Sequence, residues 1–150
     1  DYLIRYNRGV FYLRKGLNEL AIADLSSAIE LNPGFALSFM NRGIAYSNMG
    51  KLNEALADLN SAESLDPSRL LVFYNRAVVH ARLGNFELSI ADFNKSLEIT
   101  PGDLPSLMGR GLAFEAIGRT DRALEDYRAV RGRDPDNRGA IDGMARLSKR

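Results

Sequence analysis

The sequence predicts an all-α fold, a solenoid of stacked antiparallel helix pairs, and three observations carry that expectation. Arg8, Arg42, Arg76 and Arg110 stand 34 residues apart, each within a related stretch: Tyr6 to Tyr12, Met40 to Tyr46, Tyr74 to His80 and Met108 to Phe114. Pro33, Pro67, Pro101 and Pro135 keep the same interval. So do Gly16, Gly50, Gly84 and Gly118 in mid-unit. A fixed period of this length marks a repeat architecture, in which each unit buries its apolar face against its neighbours. No stretch alternates with period two, so no strands are expected.

Each unit is punctuated twice, and the punctuation places the helices. Glycine ends a helix because it takes the left-handed conformation without strain. Proline cannot continue a helix and restricts the residue before it. The first helices are expected at about Leu3–Lys15, Leu37–Met49, Leu71–Leu83 and Leu104–Ile117. The second helices follow at about Glu19–Leu31, Glu54–Leu65, Glu87–Ile99 and Asp121–Arg133, and a last helix at about Arg138–Ser148.

Columns of matched residues give the packing. Small residues recur at Gly9, Gly43, Ala77 and Gly111, at Ala21, Ala55, Ser89 and Ala123, and at Ala28, Ala62 and Ser96, with Val130 last. Large ones recur at Tyr12, Tyr46, His80 and Phe114, and at Leu25, Leu59, Phe93 and Tyr127. Small against large in register is how two helices approach closely at native density. The arginine column has a partner: Asp24, Asp58, Asp92 and Asp126 each follow an arginine by sixteen residues. Two such columns suggest structural ion pairs between first and second helices. Spacing leaves open whether they join one unit or two.

These columns, with the glycine and the proline, resemble the tetratricopeptide repeat (TPR) family over essentially the whole chain. On that resemblance the units are about 2–35, 36–69, 70–103 and 104–137 of a single domain, with a capping helix at about 138–148. The family's Trp/Leu position reads Arg5, Phe39, Phe73 and Leu107, so the first unit departs there. The resemblance implies a right-handed superhelix whose first helices line a concave groove for peptides or partner proteins.

It also implies which residues face that groove. Asn7, Asn41 and Asn75 form a ladder, broken by Gly109. Similar ladders in the helical domain of the sugar transferase acting on nuclear and cytoplasmic Ser/Thr hold an extended peptide by its amides. Asparagine offers both a donor and an acceptor for that purpose; the alternative is an asparagine bonded to its own helix. Around the ladder lie Tyr6, Met40, Tyr74 and Met108, then Val10, Ile44, Val78 and Leu112, then Leu3, Leu37 and Leu71, with Pro105 in the fourth unit. A stripe of this kind reads equally as core. Because other columns already fill the core, an exposed apolar partner surface is the competing expectation. The two-carboxylate clamp that family cochaperones use for acidic chaperone tails maps onto Tyr6, Val10, Asn41, Leu71 and Asn75, and only Asn41 matches. In the last three units it maps onto Met40, Ile44, Asn75, Pro105 and Gly109, so a chaperone-tail clamp is not expected.

Composition narrows the remaining classes. Twenty basic residues against nineteen acidic give no bulk attraction for nucleic acid or a membrane surface. Without cysteine there is no disulfide, thiolate nucleophile or cysteine-ligated zinc. No apolar run approaches a membrane span, and nothing at the start resembles a signal peptide. The only histidine, His80, stands in the aromatic column and reads as a packing residue with a hydrogen-bonded ring. No catalytic set, phosphate loop or metal cluster is visible, so neither an enzyme nor a cofactor is expected. Solenoids need polar caps. Arg138, Asp142, Arg146, Lys149 and Arg150 supply one, leaving Ile141, Met144, Ala145 and Leu147 to pack inward. The other end carries Ile4 and Phe11 where later units have Ser38/Ala45, Val72/Val79 and Ser106/Ala113, which suggests further chain or self-association there. The functional expectation is a non-catalytic interaction module for an apolar or amphipathic peptide, with two alternatives: a structural or self-associating scaffold, or a fragment of a larger TPR protein whose groove its own chain fills.

Overall fold

A computed structural model describes residues 1–149. Those residues form nine helices in sequence: α1 (Tyr2–Arg14), α2 (Asn18–Leu31), α3 (Ala36–Asn48), α4 (Leu52–Leu65), α5 (Leu70–Arg82), α6 (Phe86–Ile99), α7 (Leu104–Ala116), α8 (Thr120–Arg133) and α9 (Arg138–Leu147). No strand is present among the described residues.

The mid-unit glycines do what their spacing requires. Gly16, Gly50, Gly84 and Gly118 sit at φ between +73° and +78°. The amide after each glycine returns to the third-from-last carbonyl of the helix: Leu17 N–H donates to Tyr12 O, Lys51 to Tyr46, Asn85 to His80 and Arg119 to Phe114, all at 2.9 Å. This long return bond satisfies a helix-end carbonyl while reversing the chain. The next helix then packs antiparallel on the one just ended. Asp1, Asp103 and Asn137 cap helix starts with side-chain oxygens that accept from Leu3, Ser106 and Ala140 amides.

Each helix packs on the one before it and the one after. In addition, α1, α3, α5, α7 and α9 touch in succession, whereas α2, α4, α6 and α8 do not touch one another among the described residues. The odd helices are therefore the crowded inner layer of the curve and the even helices its splayed outer layer. Leu25, Leu59, Phe93 and Tyr127 fill the middle of each pair, at most 1% exposed, beneath the small columns.

The ion-pair columns join within the unit. Arg8, Arg42, Arg76 and Arg110 each grip the aspartate sixteen residues on through Nε and Nη2. They also do something spacing did not reveal. Nη1 of Arg42, Arg76 and Arg110 reaches back to the preceding unit, donating to Ser26 Oγ (2.9 Å), Asn60 Oδ1 (2.7 Å) and Asn94 Oδ1 (2.7 Å). Arg76 adds Glu63, making it the most enclosed of the four.

Two expectations need correction. His80 packs in its column, but its buried Nδ1 has no hydrogen-bond partner, and its Nε2 stands 4.0 Å from Asp92. At the C-terminal cap, Leu147 is buried and Met144 half-buried, as expected, but Ile141 and Ala145 are exposed. Ala145 falls in the small column that each unit's own second helix covers, and nothing described follows α9 to cover it. The inward face of α9 is instead Ala140, Gly143 and Leu147. Arg150 lies outside the described residues.

Candidate functional site

The inner face of the odd helices collects the residues named for the groove, though not as one continuous surface. Tyr6, Val10, Leu37, Asn41, Ile44, Tyr74, Asn75, Val78 and Met108 are half-buried, and Asn7, Leu71 and Leu112 are exposed, as are Leu3 and Pro105. Met40 is the exception. It is 5% exposed and belongs to a core cluster with Leu59 of α4 and Val72 and Val79 of α5, whose gap its flexible, unbranched side chain fills. The expected apolar surface is thus interrupted at its centre.

Asn41 and Asn75 are held by their own helices. Asn75 Nδ2 donates to Leu71 O at 2.6 Å. Asn41 Nδ2 donates to Leu37 O at 2.9 Å and to the Tyr6 hydroxyl at 3.3 Å. These bonds fix the carboxamide planes, and no donor among the described residues reaches either Oδ1. In this state the ladder offers acceptors, a narrower chemistry than two-sided recognition of a peptide unit.

Where the ladder breaks, a pocket opens. Between α5 and α7 it encloses about 470 Å3, with Tyr74, Val78, Met108 and Leu112 on its walls and Phe86 and Phe93 of α6 contributing to the lining. Gly109 is what admits Phe93: a Cβ there would lie 2.2 Å from the ring. The reason begins one unit earlier. Gly9 and Gly43 make room for Leu25 and Leu59, with a Cβ at 2.8 and 3.1 Å from the leucine Cγ atoms. In the third unit that position is Ala77, and Phe93 extends over the next helix instead, meeting Tyr74 edge-on at 6.0 Å between centroids. Tyr127 reaches forward in the same way, with a Cβ at Gly143 lying 2.5 Å from its ring, although it also keeps a glycine in its own pair, Gly111, at 2.7 Å.

Sequence reasoning placed Tyr74, Val78, Met108 and Leu112 here but missed Phe86, Phe93 and Arg82. A signal existed. Asn41 and Asn75 follow Leu25 and Leu59 by sixteen residues, whereas Gly109 and Gly143 follow Phe93 and Tyr127 by the same step. An aromatic in the second helix demands glycine in the next first helix.

The titratable groups are tied to structure rather than aimed into the pocket. The Asp24 carboxyl is held below its ordinary range by the Arg8 guanidinium. Burial pulls the His80 imidazole down, outweighing Asp92. The Tyr127 phenol is pushed up by burial and by its bond to Glu115 (2.7 Å). At the rim, Arg82 Nη1 donates to Ser47 O and Oγ at 2.6 and 2.9 Å. Among the described residues no group of three or more His, Asp or Glu is placed to hold a metal ion, and no helix is long and apolar enough to cross a membrane.

Family models described as tetratricopeptide repeat match residues 3–35, 40–103 and 106–140. The chain belongs to the tetratricopeptide repeat family. Comparison with curated proteins finds no match. Among solved structures, the first TPR of Spaghetti (RPAP3), bound to the HSP90 peptide SRMEEVD, is 26% identical, with a TM-score of 0.74 over 76% of this chain and 90% of that one. A TPR protein from Parabacteroides merdae is 26% identical with a TM-score of 0.88, covering 99% of this chain and 59% of its own length. YrrB, described as a TPR protein with an unusual peptide-binding site, shares the fold at 19% identity, with a TM-score of 0.81 over 98% and 84% of the two chains. A TPR fold is that of a protein–protein interaction module, and domains of this kind are generally non-catalytic.

Proposed function

We propose that this chain is a non-catalytic module that docks an apolar or amphipathic segment of a partner protein against its inner face. The observation that carries the reading is the pocket beneath Gly109. Its walls are almost wholly apolar, and it is open enough to admit one large side chain. An anchor residue there would contact Tyr74, Val78, Phe93 and Leu112, and Asn41 and Asn75 would accept from the backbone amides of the flanking segment. Spaghetti's first TPR holds an acidic HSP90 peptide. Here the corresponding clamp positions are Tyr6, Val10, Asn41, Leu71 and Asn75, a neutral set that favours a different ligand.

The test is selection from a random peptide library, followed by fluorescence anisotropy on Leu112→Asp and Val78→Asp. Selected peptides are expected to share one large apolar residue, and each substitution to weaken them about tenfold or more, as removal of an interface anchor does. Selection of acidic, carboxylate-ended peptides insensitive to both substitutions would overturn the reading.

A further inference from the structure

The first helix carries a face that every later odd helix buries. Ser38 and Ala45, Val72 and Val79, and Ser106 and Ala113 are each at most 2% exposed. The matching residues of α1 are Ile4 and Phe11, 67% and 55% exposed. At each junction the covering surface comes from small residues on the preceding even helix. Ser96 and Ser106 share a hydrogen bond of 2.7 Å, Ala62 and Val72 lie in one core cluster, and Ala21 and Ala45 in another.

A third socket sits beside these two, where the arginine Nη1 finds an oxygen on the same even helix. The even helices therefore share one outgoing pattern: Ala21–Ser26–Ala28, Ala55–Asn60–Ala62 and Ser89–Asn94–Ser96. The last junction shows that acceptor and arginine go together. There α9 has Met144 in the arginine position, and α8 has Arg128 in place of the serine or asparagine. In α1 the socket is open: Arg8 spends Nε and Nη2 on Asp24, and its Nη1 meets no acceptor among the described residues.

We propose that the Ile4–Arg8–Phe11 face of α1 docks an amphipathic partner helix that presents two small residues seven apart, with Ser or Asn five after the first. This continues the interface already formed at three junctions, and a neutral oxygen answers the open guanidinium arm as it does at Arg42, Arg76 and Arg110. Because Ile4 and Phe11 are bulkier than most of their counterparts, glycine, alanine or serine must stand opposite them. A second copy of the chain does not fit. Its outgoing faces of this kind are already covered by α3, α5 and α7, so stacking copies end to end would require opening one of them.

A helix-stabilised, fluorescent peptide of residues 52–65 serves as the probe, because it carries the α4 pattern. Saturable binding is expected. Phe11→Glu, whose site is exposed and whose fold is checked by circular dichroism, should weaken it about tenfold or more. Asn60→Leu in the peptide should weaken it about threefold or more through loss of the Arg8 acceptor. Leu112→Asp should leave it unchanged, which separates this face from the groove. The proposal is overturned by absent saturation, by equal affinity for Phe11→Glu, or by loss on Leu112→Asp. It is also overturned by a dimer in sedimentation velocity that Phe11→Glu dissolves, since a second copy would then cover the face.

Discussion

The first two helix pairs and the last two follow one backbone plan but fill their centres differently. Leu25 and Leu59 sit within their own pair, under Gly9 and Gly43, and leave room for asparagine on the following helix. Phe93 and Tyr127 reach that following helix, and glycine stands there. The chemistry of the groove is therefore set from below, by the size of a buried side chain on the outer helix. Polar acceptors line the inner face where the core is aliphatic, and an apolar pocket opens where the core turns aromatic.

The most damaging way to break this comparison is at the seam between the halves. Arg76 is 8% exposed and is held by Asp92, Asn60 and Glu63. Arg76→Ala leaves buried carboxylate charge without its partner and is expected to cost about 3–4 kcal/mol in urea unfolding. Arg8→Ala, at a half-exposed pair without the backward arm, should cost much less. Equal losses would show that burial and the backward arm do not matter.

Next comes the exchange itself. Gly109→Asn forces a side chain into the Phe93 ring and should destabilise by about 2–3 kcal/mol, the ordinary scale of overpacking. Adding Phe93→Leu converts the third junction to the aliphatic arrangement and should recover more than about 1 kcal/mol as a coupling in the double-mutant cycle. Strict additivity would separate the pocket from the aromatic–glycine rule.

The smallest effect is in the pH dependence. Burial lowers the His80 pKa below its unfolded value of 6.5, so the unfolded chain binds the proton more readily. That contribution is complete above the unfolded value and is lost as pH falls through the folded one. Replacement by the column's other residue, His80→Tyr, should flatten the decline of stability below pH 6.5. An unchanged slope in chemical denaturation across that range would show that His80 carries none of it.

Much of the fold was legible because the repeat states each constraint several times. The left-handed glycines and the arginine–aspartate step of sixteen both appear in the structure as the spacing implied. The candidate site was legible only in part, since reading each column alone hides coupling between columns. Met40 belongs to a groove column yet is buried, because α4 and α5 together enclose it. Phe93 belongs to a core column yet lines the pocket, because its ring reaches the next first helix and Gly109 admits it there. Ile141 and Ala145 keep their column identities at a place where no described helix covers them.

The two-way grip of the arginines has a mechanical consequence. Arg110 holds Asp126 in its own pair and Asn94 in the pair before, so neither unit can loosen without disturbing the other. In a solenoid whose stability is a sum of unit and neighbour terms, each such residue adds to both sums at once. The pocket lies across this same junction. A side chain that wedged α5 from α7 would therefore load the Arg110 bond to Asn94, and the strain would pass to both pairs that Arg110 ties.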